Sequence, residues 1–417
     1  MAHPSENLRP ESTLSEADVT SEKDTGARDH SPTHISDEEL VRLNKKAEAI
    51  RKACDLRDLD ALVSHATSEG GFLRDELRRL AWPILLQCEK STQSSLSPEG
   101  DLSPHRDEEQ VQLDVHRAFV YYPKCLDDEL SSKKDELSRV IRKVLRNYPM
   151  LCYFQGYHDI VQVLLLVLGE HQSAQAVARL SLLRIRDYML PSLSPAVKHL
   201  QLIPAIIQTA DEALYRRLSG IRPFFALSAT LTLYAHDIQE YSDIARLFDF
   251  LLAWEPVVSI YLFVAIVLSR RKELLEIPED EPEMLHFTLS KLPQPLDLEG
   301  LISRAIQLFH HRPPKSLPSG VWRKIPWCSV LKTSRDVFST QSTNAAVELF
   351  DKQTKRLRSE ERKEQIVGFL WRHRRTMGSV AVAVFVGAMS FWIRKRGLDS
   401  TLLSYMDRLK VAFQARL

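Results

Sequence analysis

The chain has 417 residues, enough for two or three domain-sized units with a buried core. Lys plus Arg (56) and Asp plus Glu (55) nearly cancel to a formal net charge of +1, so no charge excess points to nucleic acid as a partner. Five cysteines, Cys54, Cys88, Cys125, Cys152 and Cys328, are widely spaced, odd in number and free of any C-x-x-C, which argues against a disulfide framework or a zinc site and fits a reducing, cytosol-facing environment.

Residues 1–35 are rich in Ser, Glu, Asp, Pro and Thr, poor in large apolar groups, and without the basic start and apolar stretch of a secretory signal. They cannot bury enough surface to offset the entropy of ordering, and are read as disordered. Order is expected from Ser36, where Ser36 and Glu39 form an S-x-x-E capping box and Ile35 can staple onto Leu40. One or two helices then fill 36–69. Gly70-Gly71 breaks the run, and Leu73, Leu77, Leu80 and Ala81 restart a helical stripe, with Trp82 and Leu85-Leu86 expected in the core. The Ser/Pro/Gly-rich stretch from Ser91 to Arg106 reads as a surface loop. From Glu108 to Phe309 helix follows helix, with prolines spaced as stops, so the predicted fold class is all-α.

The C-terminal part differs. Pro313 to Pro326 is Pro-rich and expected to be irregular, and 311–375 as a whole reads as a linker with a basic juxtamembrane segment. Lys352, Lys355, Arg356, Arg358, Arg362 and Lys363 lie on a solvated helix or attract anionic lipid. Residues 376–393 contain no charged side chain until they meet Arg394, Lys395 and Arg396, and Arg372, Arg374 and Arg375 precede them. As a helix they would extend roughly 27 Å, close to the hydrocarbon thickness of a thin bilayer. Basic clusters at both ends, with Trp371 and Trp392 near headgroup depth, favour one transmembrane helix over a buried core helix and leave its orientation open. Residues 394–417 form a short tail.

Two short motifs carry the chemistry. Val111, Asp114 and Arg117 in VQLDVHRAF fall three apart, so on a helix they share a flank and Asp114 can hold the Arg117 guanidinium. By itself a D-x-x-R is most often an exposed intrahelical pair worth about 0.2 to 0.5 kcal/mol. The second motif, Tyr153-Phe154-Gln155-Gly156, is by itself most often a helix surface or cap. Together they offer one arginine and one glutamine, the two groups that accelerate GTP hydrolysis when lent in trans: the guanidinium neutralises charge on the transferring phosphoryl group, and the carboxamide orients the attacking water.

In order along the chain, Arg78-x-x-x-Trp82, Val111-x-x-Asp114-x-x-Arg117, Tyr153-x-Gln155-Gly156 and Arg246-Leu247-Phe248-Asp249 match the motif series of the TBC (Tre-Bub-Cdc) domain Rab GTPase-activating proteins, which the chain resembles from about Gly70 to Phe309. FQGYHDIVQVLLLVLGE, FALSATLTLYAH, LISRA and the C-terminal apolar span extend the resemblance to the membrane-anchored branch acting in endoplasmic reticulum to Golgi traffic. The resemblance implies a multi-helix TBC domain over 70–310. It implies Arg117 and Gln155 as fingers and a supporting role for Asp114, Tyr153, Gly156 and Asp159. Arg78, Trp82, Arg246 and Asp249 are then structural or Rab-contacting, with a structural role favoured for Trp82 and Asp249. It further implies a GTP-bound Rab as partner, and a cytosolic catalytic domain on the endoplasmic reticulum or early Golgi membrane. GTP and Mg2+ would be held by the Rab, with no cofactor of the chain's own. Two departures stand out: Val111 replaces an isoleucine, a near-isosteric change, and Ala229 stands where the family usually places a tryptophan.

No G-x-x-x-x-G-K-[ST], G-x-S-x-G or H-E-x-x-H is present, so the chain is not expected to hold its own nucleotide or to be a hydrolase or metalloprotease. His310 and His311 suit a helix C-terminus better than a metal. Two other readings remain open at this stage: a membrane-tethered Rab-binding scaffold without activity, separable by GTP turnover with Arg117→Ala, and a structural endoplasmic reticulum membrane protein, separable by deleting 376–417.

Overall fold

The computed structural model describes residues 36–88, 96–124, 126–334, 338–339, 342–372, 385–392 and 395, and every regular element among the described residues is helical. Residues up to Lys45 form a unit of their own; its described part is the start of α1 (Asp37–Leu56), where Ser36 Oγ accepts the Glu39 amide at 3.2 Å, one half of the expected capping box. Ile35, the expected staple, lies outside the described residues. Everything below concerns the unit from Lys46 onward.

The end of α1 and α2 (Leu59–Thr67) are separated by Arg57 at φ 52° and by Asp58, whose carboxylate accepts from the Ala61 amide at 3.0 Å. In α3 (Asp75–Leu85) the acids of the first turn suit the helix dipole, and Leu77, Ala81, Trp82 and Leu85 are buried. Leu80 is exposed, against expectation, because the buried face is centred on Arg78, Ala81 and Leu85 and Leu80 falls beyond its edge. Next come α4 (Glu108–His116), α5 (Asp127–Asn147) and α6 (Tyr157–Leu183), the central helix, against which α3 and α5 pack.

Shorter helices follow: α7 (Ser194–Leu200), α8 (Leu202–Ala210), α9 (Glu212–Leu218) and α10 (Leu227–Leu231). Then α11 (Tyr241–Ala253) packs on α2 and α3, while α12 (Val258–Ser269), buried from Val258 to Leu268, packs on α8 and on α15 (Leu298–His311), with α13 (Arg271–Glu276) and α14 (Pro282–Leu289) between. A helix apolar all round belongs inside, and α12 is there.

The region expected as a linker packs onto the core as far as Leu357, and 361–368 beyond it are exposed. Pro313 to Pro326 is wound into short turns ending in α16 (Val321–Lys324), and α17 (Val330–Thr333) and α18 (Thr343–Arg372) follow. Trp322, Ile325, Val330, Leu331, Ala346, Phe350 and Leu357 are buried. A polar knot adds to the latch: the fully buried Asp187 accepts from Gln353 Nε2 at 2.6 Å and from the Val330 amide at 3.1 Å, and lies 2.9 Å from His199 Nε2. The basic stretch of α18 is therefore one-faced, with Phe350, Gln353 and Leu357 turned inward.

Among the described residues the one helix long and apolar enough to cross a membrane is α6, and most of its apolar stretch is buried, which makes it a core helix. The predicted span 376–393 lies outside the described residues except for 385–392, which are helical with Phe385, Phe391 and Trp392 exposed.

Candidate functional site

Two of the four motifs build the frame. Asp249 on α11 is completely buried and accepts from the Phe72 amide (2.9 Å), Trp82 Nε1 (2.8 Å) and Arg78 Nε (3.1 Å). Gly71 lies so close, at φ +51°, that a Cβ there would meet Asp249 Oδ2 at 2.5 Å. Arg246, one turn away, pairs instead with Glu299 (2.7 Å) and donates to the Ala66 carbonyl at 2.9 Å, which closes the C-terminus of α2. Arg78 and Arg246 are 6% exposed and Trp82 and Asp249 0%, so all four are held inside the fold.

The D-x-x-R motif departs from the shared flank expected of it. Val111 and Asp114 are fully buried in α4, whereas Arg117 stands one residue past the helix end (φ −95°, ψ 2°) with a side chain 61% exposed. The guanidinium reaches back to Asp114, Nη2 to Oδ1 2.5 Å. Gln110 Nε2 (3.0 Å) and the Tyr153 hydroxyl (2.9 Å) complete the donors on that carboxylate. One buried, three-donor acceptor thus orients an exposed cation, a firmer arrangement than a surface ion pair.

In the second motif Tyr153 and Gly156 do different work. Tyr153 points back into the first motif, its ring edge-on to Tyr157 at 5.9 Å; burial first, then the neighbouring Asp114, pushes its phenol well above the ordinary range and keeps it a neutral donor. Gly156 caps α6 at φ 97°, and a Cβ there would meet Thr232 Cγ2 at 2.6 Å, so both backbone and space demand glycine. Gln155, between them, is exposed.

Arg117 and Gln155 line the same open cleft, of about 530 Å³, with Gly156 and Asp159. Its other walls come from Phe119–Tyr122 and from α10 and the turn after it, through Thr232 and His236. Gln162, two turns into α6, pins the first of these walls: its Oε1 accepts the Phe119 amide at 2.9 Å and its Nε2 donates to the Tyr122 carbonyl at 3.3 Å. Asp159 sits between two imidazoles, His158 Nε2 at 3.2 Å and His236 Nδ1 at 3.0 Å. Burial holds His158 below the ordinary imidazole value, whereas the hydrogen bond to Asp159 lifts His236 above it. Ala229, the departure from the family tryptophan, is buried in α10 and is not among the lining residues.

The cleft offers one exposed, oriented cation, one carboxamide and a mixed apolar rim. Arg117, Gln155, Gly156 and Asp159 line it as a group, and Asp114 and Tyr153 stand behind it. Gln162, Thr232 and His236 carry little signal in the sequence; Gln162 is an isolated polar residue in apolar text, a weak signal, and Thr232 and His236 have none.

A family model described as the Rab-GTPase-TBC domain matches residues 75–275. The chain is 35% identical over 308 residues to the GTPase-activating protein gyp10 of Schizosaccharomyces pombe, covering 72% of this chain and 82% of that one. It is 36% identical over 282 residues to TBC1 domain family member 20 of Homo sapiens, covering 66% and 70%. A solved Chlamydomonas flagellar RabGAP TBC domain aligns at a TM-score of 0.44 and 16% identity over 62% of this chain and 94% of that one.

Proposed function

The chain belongs to the Rab-GTPase-TBC domain family, and on that premise we propose that it is a GTPase-activating protein that docks on a GTP-bound Rab and completes its active site in trans. The Rab holds GTP and Mg2+. Arg117 neutralises charge developing on the transferring phosphoryl group, and Gln155 orients the attacking water, the two demands of a reaction governed by positioning and electrostatics. The observation that carries this reading is the convergence of both side chains, exposed, on one open cleft. Asp114 is the positioning residue for Arg117, and the Tyr153 hydroxyl ties that carboxylate to the segment bearing Gln155.

The seat of action in this proposal is the endoplasmic reticulum or early Golgi membrane, with 376–393 as a single-pass anchor and the helical domain cytosolic. Its support is the uncharged run and its flanking basic clusters. Confinement beside a lipidated Rab raises effective concentration without any new contact. Phosphate release from a panel of GTP-loaded Rabs, with wild type and with residues 376–417 deleted, tests both parts: activity in solution survives the deletion, and membrane residence does not.

A further inference from the structure

The turn that follows α10 is built under strain. Leu233 (φ 49°) and Tyr234 (φ 68°) are consecutive non-glycine residues in the left-handed region, a conformation that persists only where its surroundings impose it. Inside the protein the fully buried Tyr234 is moored by its hydroxyl, which donates to the Ser259 carbonyl at 2.6 Å. Outside, at the cleft mouth, the tie is the 3.0 Å contact between His236 Nδ1 and Asp159 Oδ2. Asp159 belongs to the first turn of α6, its amide donating to the Gly156 carbonyl at 3.1 Å, and Thr232 presses on Gly156 from the strained turn. Asp159 and Thr232, from the two segments that the contact joins, therefore both meet Gly156, the residue next to Gln155.

We propose that His236 is a positioning residue of this site: bonded to Asp159, it clamps the 232–236 turn onto the first turn of α6 and holds Gln155 in register with Arg117, most tightly when its imidazole is protonated. The inference rests on the Rab-activator reading above and adds to it a residue and a pH dependence. The titratable groups around His236 are Asp159 and His158 on α6, Asp237 beside it and Lys291 beyond α14. His158 Nε2 also lies 3.2 Å from Asp159, but burial lowers its proton affinity, so of the two imidazoles the exposed His236 is the one that more readily carries charge. An imidazolium–carboxylate contact is roughly twice as strong as its neutral counterpart. Because binding to Asp159 raises the proton affinity of His236, the stronger form is present at mildly acidic pH and is lost as pH rises through that raised value.

The test uses the full chain and the Rab that responds in the panel, in single-turnover phosphate release from about pH 6 to about pH 8. His236→Asn keeps a donor at the Nδ1 position without the charge; His236→Leu removes both. We expect turnover at saturating Rab to be about two- to fivefold higher for wild type than for His236→Asn at the acid end, converging at the alkaline end, with His236→Leu lower throughout and half-saturation shifted less than twofold. A wild-type profile parallel to that of His236→Asn overturns the proposal, and so does a variant that changes half-saturation alone, which makes His236 a docking contact. A second readout needs no Rab: in histidine-labelled protein, NMR should show His236 titrating above the ordinary imidazole value and falling towards it in Asp159→Asn. A His236 indifferent to that substitution sinks the clamp even where Arg117→Ala abolishes activation. Arg117→Ala leaving activation intact sinks the finger reading and not the clamp.

Discussion

The Tyr153 hydroxyl donates at 2.9 Å to Asp114, the carboxylate that also grips Arg117. Two motifs some forty residues apart in sequence thereby share one acceptor, so the position of the guanidinium depends on the segment that presents Gln155. Tyr153→Phe keeps the ring against Tyr157 and removes one of three donors from a buried carboxylate. We expect a stability loss of about 1 to 2 kcal/mol in chemical denaturation. Turnover at saturating Rab should fall about tenfold, with half-saturation moved far less, because the loss falls on positioning. A shift in half-saturation alone would show that Tyr153 serves docking instead.

Gly156→Ala places a methyl where Thr232 already stands and a side chain at φ 97°. The expected cost is about 1 to 3 kcal/mol of stability, with activation lost more completely than that figure implies, since relief of the clash moves Gln155. Gly156→Ala combined with Thr232→Ser removes the Cγ2 atom and should recover part of the activity. No recovery would mean that backbone conformation alone demands the glycine.

The Arg78–Asp249 pair makes a prediction about folding without chemistry. Arg78→Met leaves Asp249 a buried carboxylate without its cation and should cost about 3 to 5 kcal/mol in urea unfolding. Asp249→Asn should cost less, because Arg78 keeps its 2.9 Å contact with Asp75. Turnover per folded molecule should stay near wild type in both. A stable Arg78→Met protein with weakened Rab affinity would contradict the structural assignment.

Acidification acts on His158. Burial keeps its proton affinity below that of the unfolded chain, so below the ordinary imidazole value the unfolded state binds the extra proton and stability falls with pH. Thermal melts of wild type and His158→Gln, compared between about pH 7 and about pH 5.5, should show the wild-type advantage shrinking towards acid. A constant or growing advantage would mean that His158 is protonated in the folded protein.

What could be read from the chain follows how local each signal is. The helical fold, the glycine that ends the run before α3 and the D-x-x-R and Y-x-Q-G motifs are written within a turn or two of sequence, where spacing and cap chemistry suffice. Asp249 shows the limit: its motif partner by position is Arg246, yet the buried pair forms with Arg78, and only packing of α11 on α3 decides that. The same holds for Gln162, Thr232 and His236, which reach the cleft through tertiary contacts, and for Asp114, whose burial no three-residue spacing reveals. The Pro-rich stretch after α15 looked like a tether because its buried side chains are few and scattered; its place in the core depends on α18 and the Asp187 knot.

Whether Arg117 and Gln155 act in trans is decided by single-turnover phosphate release from the responding Rab with wild type, Arg117→Ala, Arg117→Lys and Gln155→Ala. A cation lent in trans is worth on the order of 10³ or more in rate, and lysine lacks the planar fork that arginine offers. Arg117→Ala should lose activity of that order, Arg117→Lys should rescue little, Gln155→Ala should lose much, and Rab binding should stay within a few-fold of wild type throughout. Arg117→Ala or Gln155→Ala protein that turns GTP over within about tenfold of wild type would contradict action in trans by these two residues.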